Sequence, residues 1–136
     1  MDFKKLANQY RDELLDNVLP FWLEHSQDLE FGGYFSCLDR EGKVFDTDKF
    51  IWLQGREVWM FSMLYNKVEK RQEWLDCAVQ GGEFLKKYGH DGNYNWYFSL
   101  DRSGRPLVEP YNIFSYTFAT MAFGQLSLAT GNQEYA

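Results

Sequence analysis

The alternation of apolar and polar residues along the chain predicts four helical segments separated by short, turn-rich stretches. Two of them, 3–24 and 72–88, repeat apolar residues with a period near 3.6 and carry charges on the opposite side. This pattern predicts amphipathic helices with one solvated face. The other two, 50–68 and 112–130, are apolar or uncharged around most of their circumference, which predicts helices buried on all sides. Pro20 is expected to kink or end the first helix.

A stretch typical of a small β-hairpin precedes each predicted buried helix. In the first, the breaker pair Gly32-Gly33 is followed by predicted strands at Tyr34–Leu38 and Lys43–Phe45. The second is N-W-Y-F-S-L-D-R-S-G-R-P-L. The turn sequences L-D-R-E-G-K and L-D-R-S-G-R lie 62 residues apart, so the chain contains an internal repeat of two units, about 1–68 and 69–130.

Each unit therefore combines a half-solvated helix, a hairpin and a wholly apolar helix. Stacked units of this kind predict an all-α fold with solvated helices outside and apolar helices inside, which closes on itself as an α/α barrel or toroid. Two pairs cannot close a ring, and they would leave a large apolar surface exposed. We therefore expect residues 1–136 to be the N-terminal part of one longer barrel domain; a free-standing four-helix bundle is the alternative.

Two charges stand out in the apolar segment 50–68. Arg56 and Glu57 lie in its first turns, where an unpaired buried charge would be costly. Trp52 is four residues before Arg56 and so shares its helix face. An indole beside a guanidinium suggests the floor of a pocket for a polar ligand with a flat face, such as a sugar. The aromatic content of 19% fits either carbohydrate stacking or a large core.

Composition argues against several classes of partner. A net charge of −6 makes nucleic acid an unfavourable ligand, because phosphate binding needs a basic surface. The uncharged stretch 111–133 holds too many polar residues for a lipid-facing span, and no basic-plus-apolar leader opens the chain. Two cysteines form no disulfide framework, which predicts a cytoplasmic protein. No metal-ligand spacing is repeated, so no metal site is expected.

Several motifs resemble the N-terminal third of the N-acylglucosamine 2-epimerase family, also called the renin-binding protein family. The most specific is K-F-I-W-L-Q-G-R-E-V-W-M at 49–60; the others are F-W-L-E-H-S at 21–26, G-G-Y-F-S-C-L at 32–38 and D-R-S-G-R-P at 101–106. Related cellobiose 2-epimerases and sugar ketose–aldose isomerases keep the arginine but vary the residues before it. The region 86–97 departs most from the family.

The resemblance implies an (α/α)6 barrel that interconverts N-acetylglucosamine and N-acetylmannosamine by removing and replacing the proton at carbon 2. The family's acid and base are two histidines in the later two-thirds of the chain, so this stretch alone is expected to be inactive. No cofactor is needed for the chemistry, although ATP stimulates some members without being consumed, and homodimers are usual. Two alternatives remain: an epimerase or isomerase of neutral sugars, and a non-catalytic helical interaction module.

The resemblance places the family's pocket arginine on Arg56. Deprotonation beside a carbonyl builds negative charge on its oxygen, which a fixed guanidinium stabilises. The alternative for Arg56 is a structural ion pair with Asp48 or Glu57. Trp52 is expected either to stack on the sugar or to pack between helices, and Gln54 either to bond a hydroxyl or to cap the helix.

On the fourth helix, Ser115 and Tyr116 occupy the repeat positions of Leu53 and Gln54. They are candidates for the same substrate-binding pocket, with core packing as the alternative. The two histidines, His25 and His90, lie at a helix end and in a Gly-Asp turn, and neither is predicted to be the base.

Overall fold

The computed structural model describes residues 1–110 and 113–136, so Asn112, the predicted start of the fourth helix, lies outside the described residues. The helices are α1 Phe3–Glu13, a π-helical turn Leu14–Val18, α2 Leu19–His25, α3 Ile51–Lys67, α4 Gln72–Tyr88, α5 Phe114–Thr130 and a 3-10 turn Gln133–Tyr135. The strands are β1 Cys37–Leu38, β2 Val44–Asp46, β3 Lys49–Phe50, β4 Ser99–Leu100 and β5 Pro106–Val108.

The first predicted helix is a continuous helical rod with a π-helical turn in its middle. Its N-terminus is capped by Asp2, whose carboxylate accepts hydrogen bonds from the backbone N–H groups of Lys4 and Lys5. Pro20 sits in the first turn of α2. A proline ring clashes with the carbonyl four residues before it, and the wider π turn relieves such a clash. The distortion therefore precedes Pro20 and the helix continues to His25.

The packing of α3 forms the centre of the molecule. It lies against α5 on one side and α4 on another, and the core gathers at these interfaces around Val58, Phe61, Trp74 and Leu85. Gly55 lets α3 approach α5 closely, because a β-carbon there would lie 2.9 Å from the carbonyl oxygen of Phe118. This places α3 and α5 side by side.

The hairpins are joined more closely than the sequence predicts. β1 and β2 form the first antiparallel hairpin, but β3 pairs with β4 of the second unit, so that β3, β4 and β5 make one three-stranded sheet. Phe50, predicted as the start of a helix, lies opposite Ser99 in this sheet. The two residues just before α3 are thus held by the second repeat, a long-range pairing without a local sequence signal.

Apolar surface remains exposed on two helices. On α5 the prediction of burial on all sides holds for one face only: Ala119, Ala122 and Leu126 are buried, whereas Met121 and Leu128 are exposed. On α1 the whole apolar stripe is exposed, including Phe3 and Tyr10. Neighbours within the described residues cover only part of each helix. None of the helices in the described part of the chain combines the length and apolar character needed to cross a bilayer.

Candidate active site

A half-open pocket of about 380 Å³ lies beside the first turns of α3. Its described lining residues are Trp22, Ser36, Leu53, Arg56, Glu57, Trp59 and Met60. The spacing of Leu53, Arg56 and Met60 puts their side chains on one face of α3. Trp22 of α2 and Ser36, just before β1, close the side of the pocket. Aromatic and aliphatic walls with a few polar groups are typical of a small-molecule site.

Arg56 brings a positive charge to the pocket. Its side chain is exposed at the pocket, and within the described residues it makes no ion pair, either with Asp48 or with Glu57. The structural ion pair considered as an alternative is therefore not formed here. A guanidinium presents its donors in a planar fork, which suits the oxygens of a ligand.

Glu57 is the buried acid of this pocket. The residue is 8% exposed, and burial raises its pKa to about 8, although the hydrogen bond with Ser26 opposes the shift. Ser26 Oγ lies 2.5 Å from Glu57 Oε1 and 2.6 Å from the carbonyl oxygen of Trp22. Sequence reasoning treated Glu57 only as a partner for Arg56, because the hydroxyl that faces it is 31 residues away in sequence.

Ser36 adds an unsatisfied polar atom to the pocket. Its Oγ is buried and has no hydrogen-bond partner among the described residues. A buried hydroxyl without a partner costs free energy, so it is suited to a ligand that can complete its hydrogen bonding. Ser36 and Trp22 were missed as site residues. Both lie within stretches that resemble the family, but no local sequence pattern indicates that their side chains come together with residues of α3.

Trp52 and Gln54, both on α3, are outside the described lining of this pocket, so the predicted pairing of Trp52 with Arg56 as its floor is not observed. Trp52 packs against Phe118 of α5 with ring centroids 5.9 Å apart and is not one of the pocket's described lining residues. Gln54 is fully buried, and its amide accepts from the backbone N–H of Tyr34 and donates to the carbonyl of Tyr34, both at 2.8 Å. Trp52 therefore packs between helices, as one of its two alternatives expected. Gln54 neither caps α3 nor lines the pocket, because both the oxygen and the nitrogen of its amide are bonded to the backbone of Tyr34.

Ser115 and Tyr116 are also outside the described lining of this pocket. Ser115 is buried on α5. Tyr116 packs against the core, and its hydroxyl lies 3.5 Å from Oδ1 of Asn95, at the second hairpin. For both residues the observed surroundings fit the core-packing interpretation.

The two histidines are held by contacts with other residues. His25 packs against the ring of Phe21 and beneath the turn at Gly42. His90 lies between Tyr94 and Trp96, with ring centroids 5.1 and 5.0 Å away, and its Nδ1 accepts from the backbone N–H of Gly92. Neither is among the residues described as lining the pocket. No group of three potential metal-ligating side chains occurs in the described ranges.

A second buried acid, Asp28, lies at the junction of the loops. It is 1% exposed and binds Lys49 Nζ at 2.9 Å and Arg102 through two hydrogen bonds of 2.9 and 3.1 Å. Burial raises its pKa, but the hydrogen bonds from Arg102, Lys49 and the backbone of Phe31 outweigh burial and lower it to about 2. Lys49 also donates to the carbonyl oxygens of Gly32 and Arg102. This cluster ties the loop after α2, the start of α3 and the second hairpin together.

Comparison with known proteins identifies the family of this chain. The sequence model of the family described as N-acylglucosamine 2-epimerase (GlcNAc 2-epimerase) matches residues 33–136. The chain belongs to this family. It is 47% identical over 128 residues to N-acylglucosamine 2-epimerase of Mus musculus, covering 91% of this chain and 30% of that protein. Against the Homo sapiens protein it is 47% identical over 125 residues, covering 89% and 29%.

Solved structures share the fold of this chain. Cellobiose 2-epimerase from Bacillus thermoamylovorans B4167 matches 97% of this chain and 34% of its own, with a TM-score of 0.87 and 30% identity. A D-mannose isomerase matches with a TM-score of 0.80 at 20% identity, which shows the fold alone. The described residues thus form part of an α/α toroid. The chain spans about 30% of the length of the curated relatives that it matches.

Proposed function

We propose that the intact protein is a sugar 2-epimerase that interconverts N-acetylglucosamine and N-acetylmannosamine. The observation that carries the proposal is the guanidinium of Arg56, which lines an aromatic-walled pocket and makes no ion pair with any described residue. The N-acylated substrate is favoured by similarity, because identity is 47% to the mouse N-acylglucosamine 2-epimerase but 28% to a cellobiose 2-epimerase of Bacteroides fragilis.

The reaction assigns Arg56 a defined role. Breaking the C2–H bond of the open-chain sugar sends its electron pair into an enolate, and negative charge collects on the C1 oxygen. The N–H groups of Arg56 donate hydrogen bonds to that oxygen and stabilise the charge as it forms. Return of a proton to the opposite face of C2 inverts the centre. Neither His25 nor His90 is among the described lining residues of this pocket, and we propose that the acid and base are histidines outside these 136 residues and that this stretch alone is inactive.

The architecture of the intact protein is part of the same proposal. We propose that the two helix pairs are the first of an (α/α)6 barrel and that later pairs cover the exposed apolar faces of α1 and α5. A cytoplasmic homodimer is proposed from the resemblance. Two free thiols, the half-buried Cys37 and the buried Cys77, are in keeping with a reducing compartment. Fractionated cells and light scattering of the full-length protein test these two points.

Exchange with solvent tests the reaction. The full-length protein is incubated with N-acetylmannosamine in deuterated water, and the sugar is examined by NMR. We expect N-acetylglucosamine to form with deuterium at carbon 2. Parallel reactions with cellobiose and mannose test the neutral-sugar alternative, which the likeness to cellobiose 2-epimerase favours. Absence of exchange in every sugar would reject an epimerase and leave a non-catalytic helical module.

Substitution of Arg56 tests the pocket. In the full-length protein, Arg56→Lys keeps a positive charge but loses the planar fork, and we expect kcat to fall by about 10²–10³, the loss typical of one oxyanion donor. The free energy of unfolding should change little, because Arg56 is exposed and unpaired among the described residues. Arg40→Lys, at the exposed turn of the first hairpin, is the matched control. Equal kcat in the two variants would remove Arg56 from the mechanism.

A further inference from the structure

The hydrogen atoms around Ser26 decide the charge of Glu57. Ser26 Oγ has two oxygen neighbours at hydrogen-bond distance, the Trp22 carbonyl oxygen at 2.6 Å and Glu57 Oε1 at 2.5 Å. A serine hydroxyl carries one hydrogen, and a carbonyl oxygen can only accept. If Ser26 donates to Trp22, the short contact with Glu57 needs a hydrogen from the carboxyl group. If Ser26 donates to Glu57 instead, the Ser26 oxygen lies 2.6 Å from the Trp22 carbonyl oxygen with no hydrogen between the two oxygens.

The surroundings of Glu57 also favour the protonated acid. The described titratable groups that act on it are Tyr34, in the segment before β1, and Cys77, on α4. Burial raises the pKa of both, so both are neutral, and the Tyr34 hydroxyl donates to the Cys77 carbonyl oxygen. On its own helix, Arg56 is not paired with Glu57 in any ion pair of the described residues. A buried carboxylate without a cation is costly, and binding a proton removes that cost.

We infer that Glu57 is a proton-bearing, neutral positioning residue that leaves the positive charge of Arg56 uncancelled in the pocket. The protonated carboxyl donates to Ser26, which donates in turn to the Trp22 carbonyl oxygen, so the wall between α2 and α3 is fixed without a net charge. This inference rests on the proposed function only for its effect on turnover; the state of the carboxyl is a property of the fold.

Loss of the proton would change the pocket. The burial-raised pKa of about 8 places the ionisation at the alkaline edge of the neutral range. An anion next to Arg56 would attract the guanidinium and oppose the negative charge that builds on the C1 oxygen. Activity should therefore decline as the pH rises through about 8, in proportion to the ionised fraction of Glu57.

The protonation state can be measured without any enzyme assay. Full-length wild-type protein labelled with ¹³C at the glutamate carboxyl carbons is titrated while infrared and NMR spectra are recorded. We expect a protonated carboxylic acid signal from Glu57 at pH 7 that disappears as the pH passes about 8. The signal should be missing in Glu57→Gln and retained in the control Glu41→Gln, on the exposed turn of the first hairpin. Complete ionisation of all glutamates at pH 7 would overturn the inference.

The kinetic measurement tests the positioning role. Glutamine has the shape of the neutral acid and cannot ionise, so Glu57→Gln should lose the alkaline decline. With N-acetylmannosamine as the probe, we expect the ratio of kcat/KM at pH 7 to that at pH 9 to be about tenfold larger in wild type than in Glu57→Gln, as one ionisation near pH 8 requires. Parallel pH profiles would refute the positioning role even if the carboxyl is protonated. Lack of turnover in every variant would reject the proposed function, and the spectra would still decide the state of Glu57.

Discussion

Asp28 and Glu57 are both buried carboxyl groups, yet the fold gives them opposite charge states. Asp28 is 1% exposed and binds two cations, Lys49 and Arg102. Glu57 is 8% exposed and has one serine hydroxyl beside it. The pKa of Asp28 falls to about 2 and that of Glu57 rises to about 8. Burial acts in the same direction on both acids, so the partners decide which one keeps its proton.

The two acids also respond to pH in opposite directions. A lowered pKa means that Asp28 contributes stability above its ordinary pKa of 3.8, and this contribution is lost as the pH falls through about 2. Because the pKa of Glu57 is raised, its contribution lowers the free energy of unfolding progressively as the pH rises from 4.5 to about 8. The comparison can therefore be tested by changing one acid at a time.

Removal of the charge of Asp28 should have the largest effect on stability. Asp28→Asn leaves Lys49, a fully buried ammonium, without its counter-charge. Breaking one partner of a buried pair costs about 3–5 kcal/mol in the free energy of unfolding. Denaturation of the full-length protein by urea at pH 7 measures this. Asp12→Asn, whose partner Arg11 is also exposed, is the control and should change the free energy of unfolding by less than about 1 kcal/mol.

A double variant sharpens this test. Asp28→Asn combined with Lys49→Met removes both buried charges, so it should recover part of the stability that Asp28→Asn loses. If the double variant is less stable than Asp28→Asn by the full cost of a second independent substitution, the cluster does not act through charge compensation.

Loss of the Ser26 hydroxyl should have an intermediate effect. Ser26→Ala deprives Glu57 of its hydrogen-bond partner in a buried place, which costs about 1–3 kcal/mol. Because the inferred partner is a neutral acid, the loss should be present at pH 6 and should not require an ionised Glu57. Urea denaturation at pH 6 and pH 9 measures it, with Ser127→Ala on α5 as the control. A loss that appears only at pH 9 would show that Ser26 serves the ionised carboxylate instead.

Substitution of Arg102 should have the smallest effect of the three. Arg102 is 37% exposed, so water compensates for part of what it loses, and Lys49 remains to neutralise Asp28. Arg102→Met should lower the melting temperature by much less than Asp28→Asn does, and the loss should shrink in high salt. Scanning calorimetry at two salt concentrations checks both expectations. An effect equal to that of Asp28→Asn would mean that Arg102, not Lys49, is the decisive partner.

The helices of this chain could be predicted from sequence because their signals are local. The apolar period of 3.6 in 72–88 and the uncharged run after 112 depend on neighbours three and four residues apart, and α4 and α5 follow them closely. The repeated turn sequences likewise predicted both hairpins. The sequence suggested a pocket with Trp52 beside Arg56; Arg56 does line a pocket, whereas Trp52 packs against Phe118 and is outside its described lining.

Only the tertiary structure decided which hydrogen-bond and strand-pairing partners these residues have. Gln54 bonds the backbone of Tyr34, 20 residues away, and Lys49 lies opposite Leu100 across a sheet that joins the two repeats. Asp28 meets Arg102 across 74 residues. The sequence determined which segments form helices and which charges lie among apolar residues, since these depend on local spacing. Whether a buried acid meets a cation or a hydroxyl depends on long-range packing, and that packing sets the charges of Asp28 and Glu57.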